Sequence, residues 1–288
     1  MTIRHLHIQK TGGSSLLTCL VLMYPRDIFI FTNAPKQDRR RYEELSDLDR
    51  NKLEIIAGHA PLTTGIQEVD SVPTLTLLRH PIHRVKSFCQ HVSEGKGGYL
   101  RNFFSPETFN LDDFLDRSNE WPELHWQLSN LQTRVLLGYE NYALPDRDSE
   151  AFLKDAFDVL QRKDFCFGIT EKFDLSLILF RHIFKWHKWP ICKIRNVKNQ
   201  ERLLEFSDAQ LERIRQLNLI DMELYSLAYK IFNARIAKLP FDAHRAANRL
   251  KAIRRVYPYR FAALRSYMRN PKGRKIHGVR TRVKKVPF

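Results

Sequence analysis

Short apolar runs alternate with longer amphipathic segments along most of the chain. Apolar runs of about four to eight residues are typical of buried strands, and apolar positions three and four residues apart are typical of helices. The pattern predicts strands at 2–8, 27–32, 53–57, 74–78 and 164–169. It predicts helices at 14–23, 82–93, 111–117, 122–137, 149–161, 173–187, 208–216 and 219–234. This alternation favours an α/β fold with three layers, in which helices flank a parallel sheet.

A glycine turn follows the first predicted strand and leads directly into the first predicted helix. Its residues are Lys10, Thr11, Gly12, Gly13, Ser14 and Ser15. Glycines let the backbone approach a ligand and point several N–H groups into one concavity, and the helix N-terminus adds partial positive charge. Lys10 supplies a full charge. The turn therefore predicts a cradle for a phosphate-like anion; a plain structural turn is the alternative.

The residue order in this turn differs from that of nucleotide triphosphatase loops, in which glycine directly precedes the lysine. Here Gln9 precedes Lys10, and the glycines follow it. The turn resembles the 5′-phosphosulfate loop of sulfotransferases that use 3′-phosphoadenosine 5′-phosphosulfate (PAPS). It is most similar to that of the carbohydrate sulfotransferases, roughly Pro-Lys-Thr-Gly-Gly-Thr-Ser, with Gln9 in place of the proline. The resemblance implies that residues 10–15 bind the phosphosulfate group.

A second element follows the apolar run 74–78 and begins at Arg79. Its sequence resembles the family's Arg-Asp/His-Pro-x-x-Arg-x-x-Ser element, in which the first arginine and the serine bind the 3′-phosphate. Arg79 and Ser87 match this pair at the same spacing, and an arginine fork with a hydroxyl suits a terminal phosphate. His80 stands where the family usually has aspartate, which predicts a less tethered arginine. A surface ion-pair role is the alternative for Arg79.

Three later segments extend the resemblance. Residues 130–138 resemble the family's Asn-x-Gln-Thr-Arg segment, residues 167–177 its Val-Gly-Leu-Thr-Glu segment, and residues 218–225 its closing Asn-x-x-Asp helix. The similarity thus runs in order through residues 1–235. It implies a sulfotransferase fold of the P-loop nucleotide-hydrolase type.

Four further residues take their predicted roles from the resemblance. Gln132 and Arg134 are predicted to contact a carboxylated acceptor, with a role on the helix surface as an equal alternative. Arg195 and Lys198 lie in a basic loop, and the family closes a loop over the cofactor at this place. An ordinary solvated loop is the alternative for that pair.

The predicted catalytic base is a histidine after the third predicted strand. His59 matches the second histidine of a His-Gly-His element in the uronyl 2-O-sulfotransferases, and Ala57 replaces the first. A histidine that titrates near neutral pH suits general-base catalysis. His7, three residues before Lys10, is the second candidate. For both histidines, a purely structural hydrogen bond is the alternative.

The resemblance implies a PAPS-dependent O-sulfotransferase of bacterial type, acting on a hydroxyl of a carbohydrate or glycoconjugate, with adenosine 3′,5′-bisphosphate (PAP) as product and no metal. His59 would take the acceptor's proton, and Lys10 would neutralise the leaving group. One alternative is an ATP-dependent phosphotransferase, which the residue order around Lys10 and the lack of a clear Mg²⁺-binding aspartate disfavour. A non-catalytic module that binds an anionic polymer is the other.

Composition adds few constraints. The 288 residues suffice for one sizeable domain, and no apolar run is long enough to span a bilayer. The four cysteines are widely spaced, which favours reduced, buried thiols. A cytoplasmic location, with peripheral contact at the inner membrane face, is expected. Residues 94–121 lack clear periodicity for much of their length and are predicted to include a functional loop over the acceptor cleft.

Positive charge is concentrated near the C-terminus. Fifteen of the 48 Lys and Arg residues, and none of the 32 Asp and Glu residues, lie between Arg245 and Phe288. This contrast predicts a catalytic domain at 1–240 and a basic tail at 241–288. The expected partner of the tail is an anionic membrane surface or an acidic polysaccharide, and a solvated tail is the alternative. No nucleic-acid recognition fold is visible, so nucleic acid is not an expected partner.

Overall fold

The computed structural model describes residues 2–24, 27–32, 35–138, 149–192, 203–256 and 276–277. Its central sheet has five parallel strands: β1 (Ile3–Leu6), β2 (Asp27–Phe31), β3 (Leu53–Gly58), β4 (Thr74–Leu78) and β5 (Phe165–Ile169). Their order across the sheet is β2-β3-β1-β4-β5, and a two-residue strand β6 (Ile276–His277) pairs in parallel with β2. The predicted α/β fold with a parallel sheet is therefore confirmed.

Helices fill most of the remaining described residues. The α-helices are α1 (Gly13–Met23), α2 (Pro35–Glu43), α3 (Asp47–Arg50), α4 (Gln67–Asp70), α5 (Pro81–Ser93), α6 (Leu111–Asp116), α7 (Pro122–Leu128), α8 (Leu131–Leu136), α9 (Ser149–Gln161), α10 (Phe173–Ile183), α11 (Asp208–Gln216), α12 (Leu219–Ala237) and α13 (Ala243–Val256). Short 3₁₀ helices lie at Gly98–Asn102, Arg117–Asn119 and Thr170–Lys172.

Both faces of the sheet carry an apolar core. Ile28 and Ile55 belong to the larger cluster of buried side chains, whereas the adjacent Phe29 and Ile56 belong to a second cluster. Successive side chains of a strand point to opposite faces, so this alternation means that the sheet is covered on both sides. Such burial on both faces explains why the strands read as nearly continuous apolar runs.

The predicted helix at 122–137 is wrong in one respect, because the structure breaks it into α7 and α8. Asn130 adopts a left-handed backbone conformation, with φ of 44°. Its backbone N–H donates to Oδ1 of Asn218, 3.1 Å away, and its own side-chain oxygen accepts from the N–H of Asp221 at 3.0 Å. These bonds to the start of α12 take the place of a continuous helix, and helical periodicity alone does not reveal them.

The segment 94–121 is more ordered than its sequence suggests. Two short 3₁₀ helices and α6 lie within it, and its apolar side chains join a third buried cluster with α5 and α11. Phe104 packs edge-on against Phe114, with ring centroids 4.9 Å apart, and both rings are buried. The segment thus helps to form a separate small core together with α5, α7 and α11. Its predicted role over an acceptor cleft stays a prediction.

Helix α13 lies within the segment predicted as a basic tail, yet it packs onto the body of the protein. Ala243, Ala247 and Leu250 are buried in the larger apolar cluster. Residues 257–275 and 278–288 lie outside the described residues. The division at residue 240 therefore stays a prediction, although the segment after it contributes to the core as far as α13.

Strands β1 and β4 are neighbours, and the connections that follow them lead to opposite sides of the sheet. The connection after β1 leads through α1 to β2 on one side, and the connection after β4 leads towards β5 on the other. Open parallel sheets bind ligands in the crevice at the carboxyl ends of strands that diverge in this way. Among the described residues, no helix has the length and hydropathy needed to cross a bilayer.

Candidate anion-binding and catalytic site

The turn between β1 and α1 lies at this crevice. Lys10 and Gly12 have positive φ angles of 65° and 87°, and Gly12 precedes the first residue of α1. The carbonyl of Gly12 accepts from the N–H groups of Ser15 and Leu16, at 3.0 and 3.2 Å. The N–H groups of Gly13 and Ser14 belong to the first helical turn, which has no intrahelical acceptors to offer them. The turn therefore presents backbone donors at the positive end of the helix.

Side chains from two other strand ends hold this turn in place. The hydroxyl of Thr170, directly after β5, donates to the carbonyl of Thr11 at 2.5 Å and lies 3.0 Å from that of Leu78. Arg79, directly after β4, donates through a guanidinium nitrogen to the carbonyl of Lys10 at 3.0 Å. Thr170 is a site residue that the sequence did not reveal, although it lies in the segment 167–177 that carries part of the resemblance.

Gln132 positions Arg79 through its backbone. The Oε1 atom of Gln132 accepts from the Arg79 N–H at 2.8 Å, and its Nε2 donates to the Arg79 carbonyl at 2.9 Å. Gln132 is buried, and its own N–H donates to the carboxylate of Asp221 at 3.0 Å. This pair of bonds makes Gln132 a positioning residue for the arginine. A contact between Gln132 and an acceptor stays a prediction.

A network of buried hydrogen bonds centred on Asp221 holds Gln132 in place. Asp221, fully buried at the start of α12, also accepts from the N–H and hydroxyl of Thr133, at 2.8 and 2.6 Å. The 130–138 and 218–225 segments therefore meet in space, each completing the hydrogen bonds of the other. Because buried polar groups are costly unless paired, this network holds α8 in one orientation.

A buried arginine adds positive charge beside the turn. Arg84 on α5 has no exposed surface and donates to the carbonyl of Gln127 at 2.6 Å. Its Nε and its other terminal nitrogen have no partner within the described parts of the chain. Burial lowers the pKa of Arg84 to about 10, and burial together with Arg79 lowers the pKa of Lys10 to about 8. A bound anion would stabilise all three cations.

Three histidines stack in a row beside the turn. The ring centroids of His5 and His7 lie 5.4 Å apart, and those of His7 and His59 lie 4.3 Å apart. Burial lowers the pKa of His5 to about 3 and that of His7 to about 2, and each also lies near another histidine of the row. All three rings are therefore neutral at pH 7. His5 was not singled out for any function by its sequence position.

His59 has a defined tautomer. Its Nδ1 lies 2.9 Å from the carbonyl oxygen of His7. A carbonyl only accepts hydrogen bonds, so this contact assigns the ring hydrogen to Nδ1 and leaves the lone pair of Nε2 to accept a proton. Burial lowers the pKa of His59, against an opposing effect of that hydrogen bond. The ring is thus held neutral, as a general base must be.

His7 instead packs tightly against the start of α1. A Cβ atom at Gly13 would lie 1.9 Å from the His7 Cδ2 atom and 2.4 Å from its Nε2 atom. Only glycine leaves room for the imidazole at this position. We expect Gly13→Ala to lower the free energy of unfolding by about 1–3 kcal/mol, because overpacking displaces the ring or the turn.

Urea unfolding of Gly13→Ala beside Ser14→Ala tests this close approach. Ser14 is the exposed next residue of the same helix, so its replacement should change the free energy of unfolding by no more than about 0.5 kcal/mol. Equal stabilities of the two variants would show that His7 does not occupy the space beside Gly13.

The remaining predicted site residues are placed as follows. Ser87 is half-buried on α5, one turn after Arg84, and Ser15 is buried in α1. Arg134 is buried in α8 and donates through Nε to the carbonyl of Ser129 at 2.9 Å. Its predicted contact with an acceptor stays a prediction. Arg195 and Lys198 lie outside the described residues.

The carboxylate of Glu171 binds the backbone of His80, the residue directly after Arg79. The N–H of His80 donates to Oε1 of Glu171 at 3.0 Å, and the other carboxylate oxygen accepts from the hydroxyl of Tyr225 at 3.0 Å. Glu171, which follows the neighbouring strand β5, therefore tethers the turn after β4. Sequence spacing cannot reveal this tether, since the two residues lie far apart along the chain.

Within the described residues, no group of three or more histidine, cysteine, aspartate or glutamate side chains could hold a metal ion. No family model matches the chain, and no curated protein matches it. The fold and this site are therefore the basis for a functional assignment.

Proposed function

We propose that the protein is a PAPS-dependent O-sulfotransferase that acts on a hydroxyl of a carbohydrate or glycoconjugate, with a fold of the P-loop nucleotide-hydrolase type. One observation carries the proposal: the Lys10 turn and the Arg79 element, far apart in sequence, meet at the crevice between β1 and β4. The buried guanidinium of Arg84 adds positive charge near them, and this charge would attract an anionic ligand. A dianionic 3′-phosphate and a phosphosulfate together match this concentration of cations.

Each residue of the site has a role in such a transfer. When bound, PAPS supplies the sulfuryl group, and the acceptor oxygen forms the new S–O bond as the bond to the phosphate oxygen breaks. Nε2 of His59 takes the acceptor's proton. Lys10 and the N–H groups at the start of α1 neutralise the charge that develops on the phosphate. Arg79 and Ser87 hold the 3′-phosphate and so keep the donor in line.

The geometry supports His59 over His7 as the base. Nε2 of His59 has a free lone pair, because Nδ1 is engaged by the His7 carbonyl. His7 is enclosed between two other rings and Gly13, and burial lowers its pKa to about 2. A proton on His7 would therefore be far less stable than one on a histidine in water.

A phosphotransferase that uses ATP is the second candidate. It needs a carboxylate near the strand ends to hold Mg²⁺. The carboxylate that follows β5, Glu171, already accepts hydrogen bonds from the N–H of His80 and the hydroxyl of Tyr225. This use of Glu171 favours the sulfotransferase. We assign the enzyme to the cytoplasm as part of the same proposal, with the acceptor defined only by class.

Calorimetric titration with PAP, and separately with ADP and with ATP plus Mg²⁺, tests the proposal. We expect PAP to bind and the 5′-nucleotides without a 3′-phosphate to bind at least about tenfold more weakly. Arg79→Ala should weaken PAP binding by about tenfold to a hundredfold, the effect of one charged hydrogen-bonding group.

A matched arginine variant controls for charge. Arg40→Ala removes an exposed arginine on α2 that pairs with Glu44, and it should leave PAP affinity unchanged. Preference for ATP, or equal affinity for PAP and ADP, would reject the PAPS site and favour a kinase. Binding of PAP with no transfer to any carbohydrate acceptor would favour a non-catalytic module.

A further inference from the structure

Helix α13 packs antiparallel to α10. Arg254, near the end of α13, forms an ion pair with Asp174 at the start of α10. At the opposite end, the ring of His182 contacts the ring of Phe241, just before α13, with centroids 5.8 Å apart. The end of α10 and the start of α13 therefore form one continuous surface.

Two guanidinium groups stack on the same indole ring at this surface. Arg181 lies 4.8 Å from the ring centroid of Trp189, and Arg249 lies 5.3 Å from the same centroid. Cations over an aromatic ring are attracted by its quadrupole. The stack fixes two positive charges from different helices next to each other, so the charge here is built into the fold.

The surrounding residues are strongly basic and partly apolar. At the end of α10 and the start of α13, stretches 181–192 and 238–251 carry seven Lys and Arg residues and a single acid, Asp242. Asp242 accepts from the backbone N–H of Arg245 at the start of α13. Among these cations, the large apolar side chains of Ile183 and Phe241 are 43% and 40% exposed. These two side chains add exposed apolar area to a basic region, which is the combination that an interfacial membrane contact requires.

We propose that this α10–α13 surface binds an anionic lipid bilayer. Its occupant follows from the chemistry: lysines and arginines are attracted to acidic headgroups, and Ile183 and Phe241 can enter the boundary between headgroups and acyl chains. A polysaccharide or nucleic acid would be bound through charge and would not need the apolar pair. The surface lies at the far end of α10 from the Thr170 turn, so the proposal is independent of the sulfotransferase assignment.

Sedimentation of the full chain with vesicles tests the proposal. Vesicles of phosphatidylglycerol with phosphatidylcholine should bind the protein, and vesicles of phosphatidylcholine alone should not. Lys185→Glu with Lys188→Glu should weaken binding at least about tenfold, because both lysines are exposed just after the end of α10. Ile183→Ser with Phe241→Ser should also weaken it about tenfold, through loss of buried apolar area.

The matched control reverses the same number of charges elsewhere. Arg39→Glu with Arg40→Glu changes exposed arginines of α2 and should leave vesicle binding within about twofold of the unchanged protein. Equal effects of the α2 and α10 charge reversals would mean that net charge alone drives binding, and would overturn the proposal. Full binding by the Ile183 and Phe241 variant, with equal affinity for heparin, would assign the surface to a polyanion instead.

Discussion

Replacing His59 with alanine should lower the turnover of sulfuryl transfer by about 10²–10⁴-fold, the usual contribution of a general base. The imidazole is neutral, and its Nε2 lone pair is available because Nδ1 bonds to the His7 carbonyl. Affinity for PAP should stay within about threefold, because the 3′-phosphate contacts come from Arg79 and Ser87. Transfer of labelled sulfate from PAPS to a desulfated hexuronic-acid polysaccharide, together with calorimetry, measures both quantities.

The control for this variant is His187→Ala. His187 is exposed after the end of α10, so its loss should leave turnover unchanged. Unchanged turnover in His59→Ala would exclude His59 as the base and return His7 to consideration. Loss of PAP affinity together with turnover would instead indicate that His59 shapes the donor site.

Acidification from pH 7 to pH 5 should lower the free energy of unfolding by roughly 4 kcal/mol through His5 and His7 alone. Burial lowers the folded-state pKa of His5 to about 3 and that of His7 to about 2. Below pH 6.5 these histidines take up protons in the unfolded chain but not in the folded protein. The stabilisation is therefore complete above neutral pH and is lost as the pH falls. Urea unfolding at the two pH values measures the change.

The variant His5→Phe tests the contribution of His5 to this pH dependence, because phenylalanine cannot take up a proton. Phenylalanine keeps an aromatic ring in the stack, and both ring nitrogens of His5 lack a partner among the described residues, so no hydrogen bond is lost. We expect the loss between pH 7 and pH 5 to shrink by about 2 kcal/mol. Replacement of the exposed His244 with phenylalanine should leave the loss of unfolding free energy between pH 7 and pH 5 unchanged. An unaltered pH dependence in His5→Phe would show that His5 is protonated in the folded protein.

Local pattern predicts the strands closely and the helices less well: it misses α2 and α13 and extends α10 to residue 187, whereas the helix ends at Ile183. All five strands lie within a residue or two of the predicted bounds, because runs of buried apolar residues are legible in sequence. The single helix predicted across Asn130 was wrong, since the bonds from Asn130 to Asn218 and Asp221 outweigh helical periodicity there. The charge pattern assigns α13 to a basic tail, because its arginines mask the buried stripe of Ala243, Ala247 and Leu250.

In the candidate site, too, local sequence predicts some of the residues but not the contacts between them. The Lys10 turn and Arg79 were recognisable because a short stretch of chain determines both a glycine turn and a strand end. Thr170 and the cation of Arg84 were not assigned, although both lie inside motifs that the sequence displays. Their importance depends on where their atoms lie relative to the turn after β1, and a motif does not contain that information.

Residues close together in the chain specify the alternation of strands and helices, the glycine turn at the start of α1 and the concentration of basic residues near the C-terminus. Three features become visible only in the folded protein: Gln132 holds Arg79, His5 and His7 stack beside His59, and α13 packs against α10. Most of these contacts connect residues that lie tens of positions apart, and their energies come from burial and hydrogen bonds that exist only once the sheet has assembled.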